Sequence, residues 1–322
     1  MKKILLTISA LSAALFSTAA NADISVGGSM KAVYVDAEGN ADAHIGGAIS
    51  FSMSTTTDGG VSITAGRSIS NDNDATGNNT AATGLTSLTF GFANGSITVA
   101  NDVAVPNGTG LVGELVAHAD SNRVTHTNDV AINVDDGSGI SGSTTLGDMT
   151  IAATHFYDGT AGTKGHTDSV SDGTISGSGI SITMPLGDMS LTASSAETDE
   201  AGVNYASTGA ALTMTMGSGS LGVGFESTSN DTTGAATEGE AYSVTYSTTM
   251  GTAAVAIGYT GFDAGTTASG GTSSKTDVTL SQSLGGGASV FAEMSSLTGA
   301  GAAAPTNTTS ETVIAIGTSV SF

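Results

Sequence analysis

Apolar and small polar residues alternate along most of this chain. From His44 to Ser54 the odd positions carry Ile45, Gly47, Ile49, Phe51 and Met53, while the even ones carry His44, Gly46, Ala48, Ser50, Ser52 and Ser54. The last segment divides the same way, with Ile314, Ile316, Thr318, Val320 and Phe322 opposing Glu311, Ala315, Gly317, Ser319 and Ser321. Leu221, Val223 and Phe225 alternate with Gly222, Gly224 and Glu226, as do Tyr242, Val244 and Tyr246 with Ser243, Thr245 and Ser247. A period of two sends successive side chains to opposite faces of a strand, so each segment predicts a β-strand with one apolar face. Tight connections recur at Asp58-Gly59-Gly60, Asn94-Gly95, Leu146-Gly147-Asp148-Met149, Leu186-Gly187-Asp188-Met189, Gly217-Ser218-Gly219, Met250-Gly251-Thr252 and Gly285-Gly286-Gly287. Gly, Asn and Asp supply the positive φ that short hairpins need. Seven such turns, with both chain ends on one side, predict sixteen strands near 24–35, 43–56, 61–69, 85–93, 96–102, 138–146, 149–158, 174–185, 189–197, 204–216, 220–228, 240–250, 253–263, 275–284, 287–296 and 311–322. Between them run longer polar insertions such as Asn71 to Thr80, Gly159 to Asp172 and Gly265 to Ser274, and residues 103–137 have room for a further strand pair. Pro106 and Pro305 fall in predicted loops and Pro185 at a strand end, as a ladder requires.

A soluble sandwich also alternates, but its inner faces interdigitate into a thick core. Here the apolar face is thin and carries Tyr34, Tyr157 and Tyr259 near strand ends, as an interfacial girdle would. The opposite face, mostly Ser, Thr, Gly and Ala, suits a solvated lumen. Short turns on one side and long loops on the other complete the pattern of a transmembrane antiparallel β-barrel, which leaves no backbone N–H or C=O unpaired in lipid.

The N-terminus bears on the compartment. Lys2 and Lys3 precede a short, mostly apolar run from Ile4 to Phe16, and Ala20-Asn21-Ala22 supplies a small-x-small cleavage pattern. Residues 1–22 therefore predict a secretory signal peptide, and residues 23–322 a single barrel domain of 300 residues. No segment approaches the roughly 20 apolar residues of a membrane-spanning helix. Cysteine is absent, so no disulfide framework holds the fold. The formal net charge is −22, and −24 once Lys2 and Lys3 are removed. Only 7 Lys and Arg occur, which excludes nucleic acid as a partner, because phosphate binding needs clustered cations.

The cleavable leader, the strand count over the whole mature chain, the long segment after the fifth strand and the terminal Val320-Ser321-Phe322 together resemble the general diffusion porins of the Gram-negative outer membrane. That resemblance implies a homotrimer in outer-membrane lipid and passive diffusion of small hydrophilic solutes and ions. It also implies a final strand whose Phe322 is read by the outer-membrane assembly machinery. It further implies that the third external loop folds inward and narrows the lumen. The corresponding segment, Val103 to Gly137, carries Glu114, Asp120, Asp129, Asp135 and Asp136, and Glu114 and Asp120 are its candidates for a negative rim. Basic residues facing that rim are scarce. Lys31 has lumen parity, Arg123 follows the constricting segment, and Arg67 falls on the apolar parity, so it stands either beyond the membrane band, with the rim favoured, or on a strand shifted by a bulge. Glu226 and Glu293 have lumen parity, and rings of carboxylate favour cations, so mild cation selectivity follows.

Other classes fit less well. The five histidines, at 44, 118, 126, 155 and 166, lack metal spacing; His118 and His126 bracket the third loop, where exposed loop histidines are the simpler reading. Ser and Thr are so abundant that a Ser–His–acid coincidence carries no weight, and no enzyme or cofactor is expected. Asn71-Asp72-Asn73-Asp74 begins like a calcium loop but lacks the Gly and terminal Glu of that motif. What remains is weak divalent-cation binding on acidic external loops. The competing reading is an exported adhesion or S-layer-like β-protein, which Gly, Ser, Thr and Asp richness would suit. The uneven turn spacing and the terminal Phe322 argue against a solenoid of that kind.

Overall fold

The computed structural model describes residues 23–37, 40–72, 87–103, 137–158, 175–200, 203–230, 239–263, 272–299 and 310–322. They form sixteen strands: β1 (Asp23–Ala37), β2 (Asn40–Thr56), β3 (Ser62–Asp72), β4 (Ser87–Phe92), β5 (Gly95–Val103), β6 (Gly137–Leu146), β7 (Met149–Asp158), β8 (Ile175–Leu186), β9 (Met189–Glu200), β10 (Val203–Met216), β11 (Gly219–Asn230), β12 (Gly239–Met250), β13 (Ala253–Asp263), β14 (Thr272–Gly285), β15 (Ala288–Gly299) and β16 (Ser310–Ser321). Each pairs antiparallel with its sequence neighbours, and β16 pairs with β1 to close the barrel. Residues 1–22, the predicted signal peptide, most of 103–137 with its predicted room for a further strand pair, and the Asn73-Asp74 end of the acidic motif lie outside the described residues.

Period two fixes which face each residue takes. Ile24, Val26, Met30 and Tyr34 point outward from β1, and Ile314, Ile316, Val320 and Phe322 from the β16 end, all between 42% and 70% exposed. The cross-strand partners Val223–Val244 and Ile257–Val278 continue the same apolar belt. In lipid that exposure is burial, so the belt needs no second layer. Tyr34, Tyr242 and Tyr259 stand toward the loop ends of their strands, and the last two pack at 6.1 Å between ring centroids. The Tyr157 side chain lies outside the described residues.

The tight turns fall where glycine relieves them. Gly147 and Gly187 adopt φ of 62° and 70°, in the left-handed region that side chains with a Cβ disfavour. The other side of the barrel is less uniform than the sequence pattern suggests. Only residues 38–39 separate β1 from β2, and only 201–202 separate β9 from β10, so two of the expected long loops are as short as turns.

Closure is completed by the last residue. Gly28 N–H donates to the Phe322 carbonyl at 2.8 Å, and Phe322 N–H donates back to the Gly28 carbonyl at 3.0 Å. A Cβ at Gly28 would stand 2.6 Å from the Phe322 ring and 3.0 Å from the Ala48 carbonyl oxygen, so the ring lies across the strand where no side chain stands. Gly28→Val should therefore cost about 1–3 kcal/mol, the usual penalty of overpacking. It should appear as loss of the heat-modifiable folded band at lower urea than in the parent; an unchanged midpoint would refute this packing.

Candidate functional site

The lumen wall is where this architecture presents chemistry. From β2 to β10 no charged side chain of known placement faces inward among the described residues. That wall is mostly hydroxyls, glycine and alanine, with Phe156 and Tyr205 as exceptions: Ser50, Ser52 and Ser54 on β2, Ser96 and Thr98 on β5, Ser190, Thr192 and Ser194 on β9. Cross-strand hydroxyl pairs tie it laterally, with Thr89 to Thr98 at 2.9 Å and Thr183 to Thr192 at 3.0 Å. Such groups hydrogen-bond water without imposing a field.

Charge is gathered on the other arc, from β11 round to β1. Glu226 projects inward from β11, is 3% exposed, and accepts a hydrogen bond from the Ser207 hydroxyl at 3.0 Å. Lys275 and Asp277 on β14 form an ion pair of 3.6 Å, each only 2% exposed. They stand two residues apart, which on a strand puts both on one face. Glu293 on β15 lies opposite Thr279 and Ala315, and Lys31 on β1 lies opposite Ser319 and Gly46. A hydroxyl pair between Ser289 and Ser319 at 2.7 Å runs beside Lys31.

The same arc holds apolar side chains that the simple lumen pattern does not predict. Val33, Val35, Val313 and Ala315 form a buried cluster on the inward parity of β1 and β16, with Phe291 and Leu297 of β15 packed against it. On the opposite side Phe156 is fully buried on the inward face of β7. Its ring fills the space over Gly177, where a Cβ would overlap it, and a Cβ at Gly139 would lie 2.8 Å from Phe156 Cα. Aromatic side chains laid across cross-strand glycines restore contact that the glycine omits.

The predicted site residues divide clearly by placement. Lys31, Glu226 and Glu293 project into the lumen, whereas Glu114, Asp120 and Arg123 lie outside the described residues. Arg67 lies one residue beyond Gly66, where the described β3–β4 ladder ends. It sits in mid-strand on the outward face of β3, opposite Phe51 of β2, with Ala65 and Ile69 on either side along the strand. β3 pairs with β2 without a bulge from Ser62 to Asp72, so nothing rotates Arg67 inward. A charge on the lipid face at mid-depth costs about 2–4 kcal/mol. Lys275 and Asp277 went unread because the strand containing them begins at Thr272 rather than at 275; the spacing Lys-x-Asp was the available signal. His155 lies on the outer face, where its Nδ1 meets the Ser178 hydroxyl at 2.8 Å. No group of metal-ligating side chains occurs among the described residues.

Comparison with solved structures gives the same architecture at low identity. The loop L8 deletion mutant of OmpT, an outer membrane protein of Vibrio cholerae, superposes with a TM-score of 0.70 at 11% identity, covering 94% of this chain and 99% of that one. The anion-selective porin from Comamonas acidovorans gives 0.69 at 14% identity, covering 94% and 100%. The trimer form of in-vitro folded Vibrio cholerae OmpT gives 0.68 at 10%, covering 94% and 99%. No curated relative matches the sequence. The Gram-negative porin family profile matches residues 9–302. With its closed sixteen-strand barrel and a match spanning nearly the whole sequence, the chain belongs to the Gram-negative porin family.

Proposed function

We propose that this chain forms a water-filled pore for passive diffusion of small hydrophilic solutes and ions, with a mild preference for cations. The observation that carries the pore is the inward face itself: a hydroxyl-lined arc on β2 to β10 facing a charged arc on β11 to β1. The preference rests on three inward carboxylates, Glu226, Asp277 and Glu293, against two inward lysines, Lys31 and Lys275. Glu114 and Asp120 would add to it from a third loop folded inward, with Arg123 and Lys31 opposing them. Weak divalent binding to acidic external loops belongs to the same reading, as do export on residues 1–22, a homotrimer in outer-membrane lipid, and recognition of Phe322 by the assembly machinery. The barrel then acts as a channel rather than as an enzyme.

Planar bilayers test this directly. Purified protein should insert as stepwise conductance increments, and reversal potentials across a KCl gradient should take the sign of cation preference. A folded protein giving no increments would overturn the pore, and a reversal potential of the anion sign would overturn the selectivity.

A further inference from the structure

The turn end of the outward belt carries sulfur where the loop end carries aromatic rings. Of the 10 methionines, Met149, Met189, Met216 and Met250 each abut one of four consecutive two-residue turns, at 147–148, 187–188, 217–218 and 251–252. They share the outward parity of Ile151, Leu191, Leu212 and Val244. Across each turn their partners are Leu146, Leu186, Gly219 and Ala253, so no ring stands in these four pairs. Met250 is 68% exposed and Met216 48%. The layer beside them is polar: the Ser218 hydroxyl meets Thr248 Oγ1 at 3.1 Å, and Gln282 Nε2 donates to Thr252 Oγ1 at 3.3 Å. Met294 is the contrast. It is 38% exposed, close to the 40% of Met189, but it stands six residues above Ala288, where β15 leaves its turn, between Val278 and Ile314. At about 3.4 Å per residue and a tilt near 40°, that is roughly 16 Å, inside an apolar band about 25 Å tall. Hydrocarbon therefore shields Met294, whereas Met189 borders water.

We propose that Met149, Met189, Met216 and Met250 form an arc of modification sites that hydrogen peroxide oxidises reversibly to sulfoxide while the barrel stays folded. A thioether has no proton to lose, so its oxidation follows access of the oxidant rather than a pKa. Each sulfur takes one peroxide oxygen: the S–O bond forms as the O–O bond breaks, and the sulfur gives up two electrons. The leaving oxygen takes the proton of the transferred one and departs as water. Position makes the change tolerable, because polar groups on the lipid face cost most at mid-depth and little near the interface. The inference rests on the membrane-barrel reading above and is independent of what passes through the lumen.

The test uses the full-length protein folded into phosphatidylcholine vesicles and treated with hydrogen peroxide, with each sulfoxide located by mass spectrometry of the digested chain. Met149, Met189, Met216 and Met250 should each oxidise roughly tenfold faster than Met294, and all five should react at similar rates once the chain is unfolded in urea. The oxidised barrel should keep its heat-modifiable gel shift, and a methionine sulfoxide reductase should restore the parent mass. Leucine at all four positions should remove the fast phase and leave the slow oxidation of Met294 unchanged. Met294 reacting as fast as Met189 in a chain that shows the gel shift, or loss of that shift as the four sulfoxides form, would overturn the proposal alone. A chain with no gel shift before treatment would overturn the barrel placement and the proposal with it. Conductance steps from the same preparation report on the pore separately.

Discussion

Phe156→Ala will lower the unfolding free energy by about 3–5 kcal/mol, the cost of truncating a fully buried aromatic whose surroundings cannot collapse. The surroundings here are backbone. Gly139 and Gly177 flank the ring on β6 and β8, and neither has a side chain to move into the void. The ladder from Gly139–Phe156 to Leu146–Met149 holds the strands at fixed spacing, so the cavity persists. Trp is absent, so far-UV circular dichroism across a urea gradient in detergent is the suitable probe. A change below about 1 kcal/mol would mean that the ring contributes no more than an exposed one. Phe156→Leu should recover much of the loss, since volume-conserving apolar exchanges are tolerated best.

The second large effect is expected at the inward ion pair. Asp277→Ala leaves the Lys275 ammonium, 2% exposed, without the carboxylate 3.6 Å away. Removing one partner of a buried pair typically costs about 3–5 kcal/mol. Replacing both residues together, Lys275→Met with Asp277→Leu, should return stability to within about 1–2 kcal/mol of the parent, because the desolvation of both charges is then avoided. The double variant distinguishes electrostatics from packing: if it is as unstable as Asp277→Ala, the shape of the site rather than its charge was lost.

Strand number and facing are legible in this sequence because period two survives in almost every segment. The turns carry their own signal in Gly, Asn and Asp, so the hairpins around Gly147 and Gly187 can be placed within a residue or two. Parity also tells which way Lys31, Glu226 and Glu293 point, though not what they do there. What alternation cannot report is depth or exception. Arg67 has outward parity in the sequence as in the barrel, and the unbroken β2–β3 ladder shows that no bulge turns it inward. Val33, Val35, Val313, Phe291 and Leu297 face inward against the expectation of a small polar lumen, since a lone large residue on the minority parity looks like noise. Lys275 stood at a predicted strand edge, where facing is undefined. The short external connections at 38–39 and 201–202 were hidden because polar residues at strand ends resemble loop.

The β1–β16 seam has a consequence for how quickly the barrel can form. Every other ladder joins sequence neighbours, the widest separation being residues 104–136 between β5 and β6, so each closes over a far shorter stretch of chain. The seam instead brings Ser29 to Ser321 and Ala37 to Val313, residues separated by nearly the whole length of the barrel sequence. Closing so long a loop costs about 5 kcal/mol of chain entropy before the register pairs and the Gly28–Phe322 bonds offset it. Sheet growth is thus a run of inexpensive local additions, and circularisation is a single distant encounter between the two ends. Substitutions at the seam should act on the rate of that encounter, whereas those at Phe156 or Asp277, remote from it, should act mainly on how long the closed ring survives.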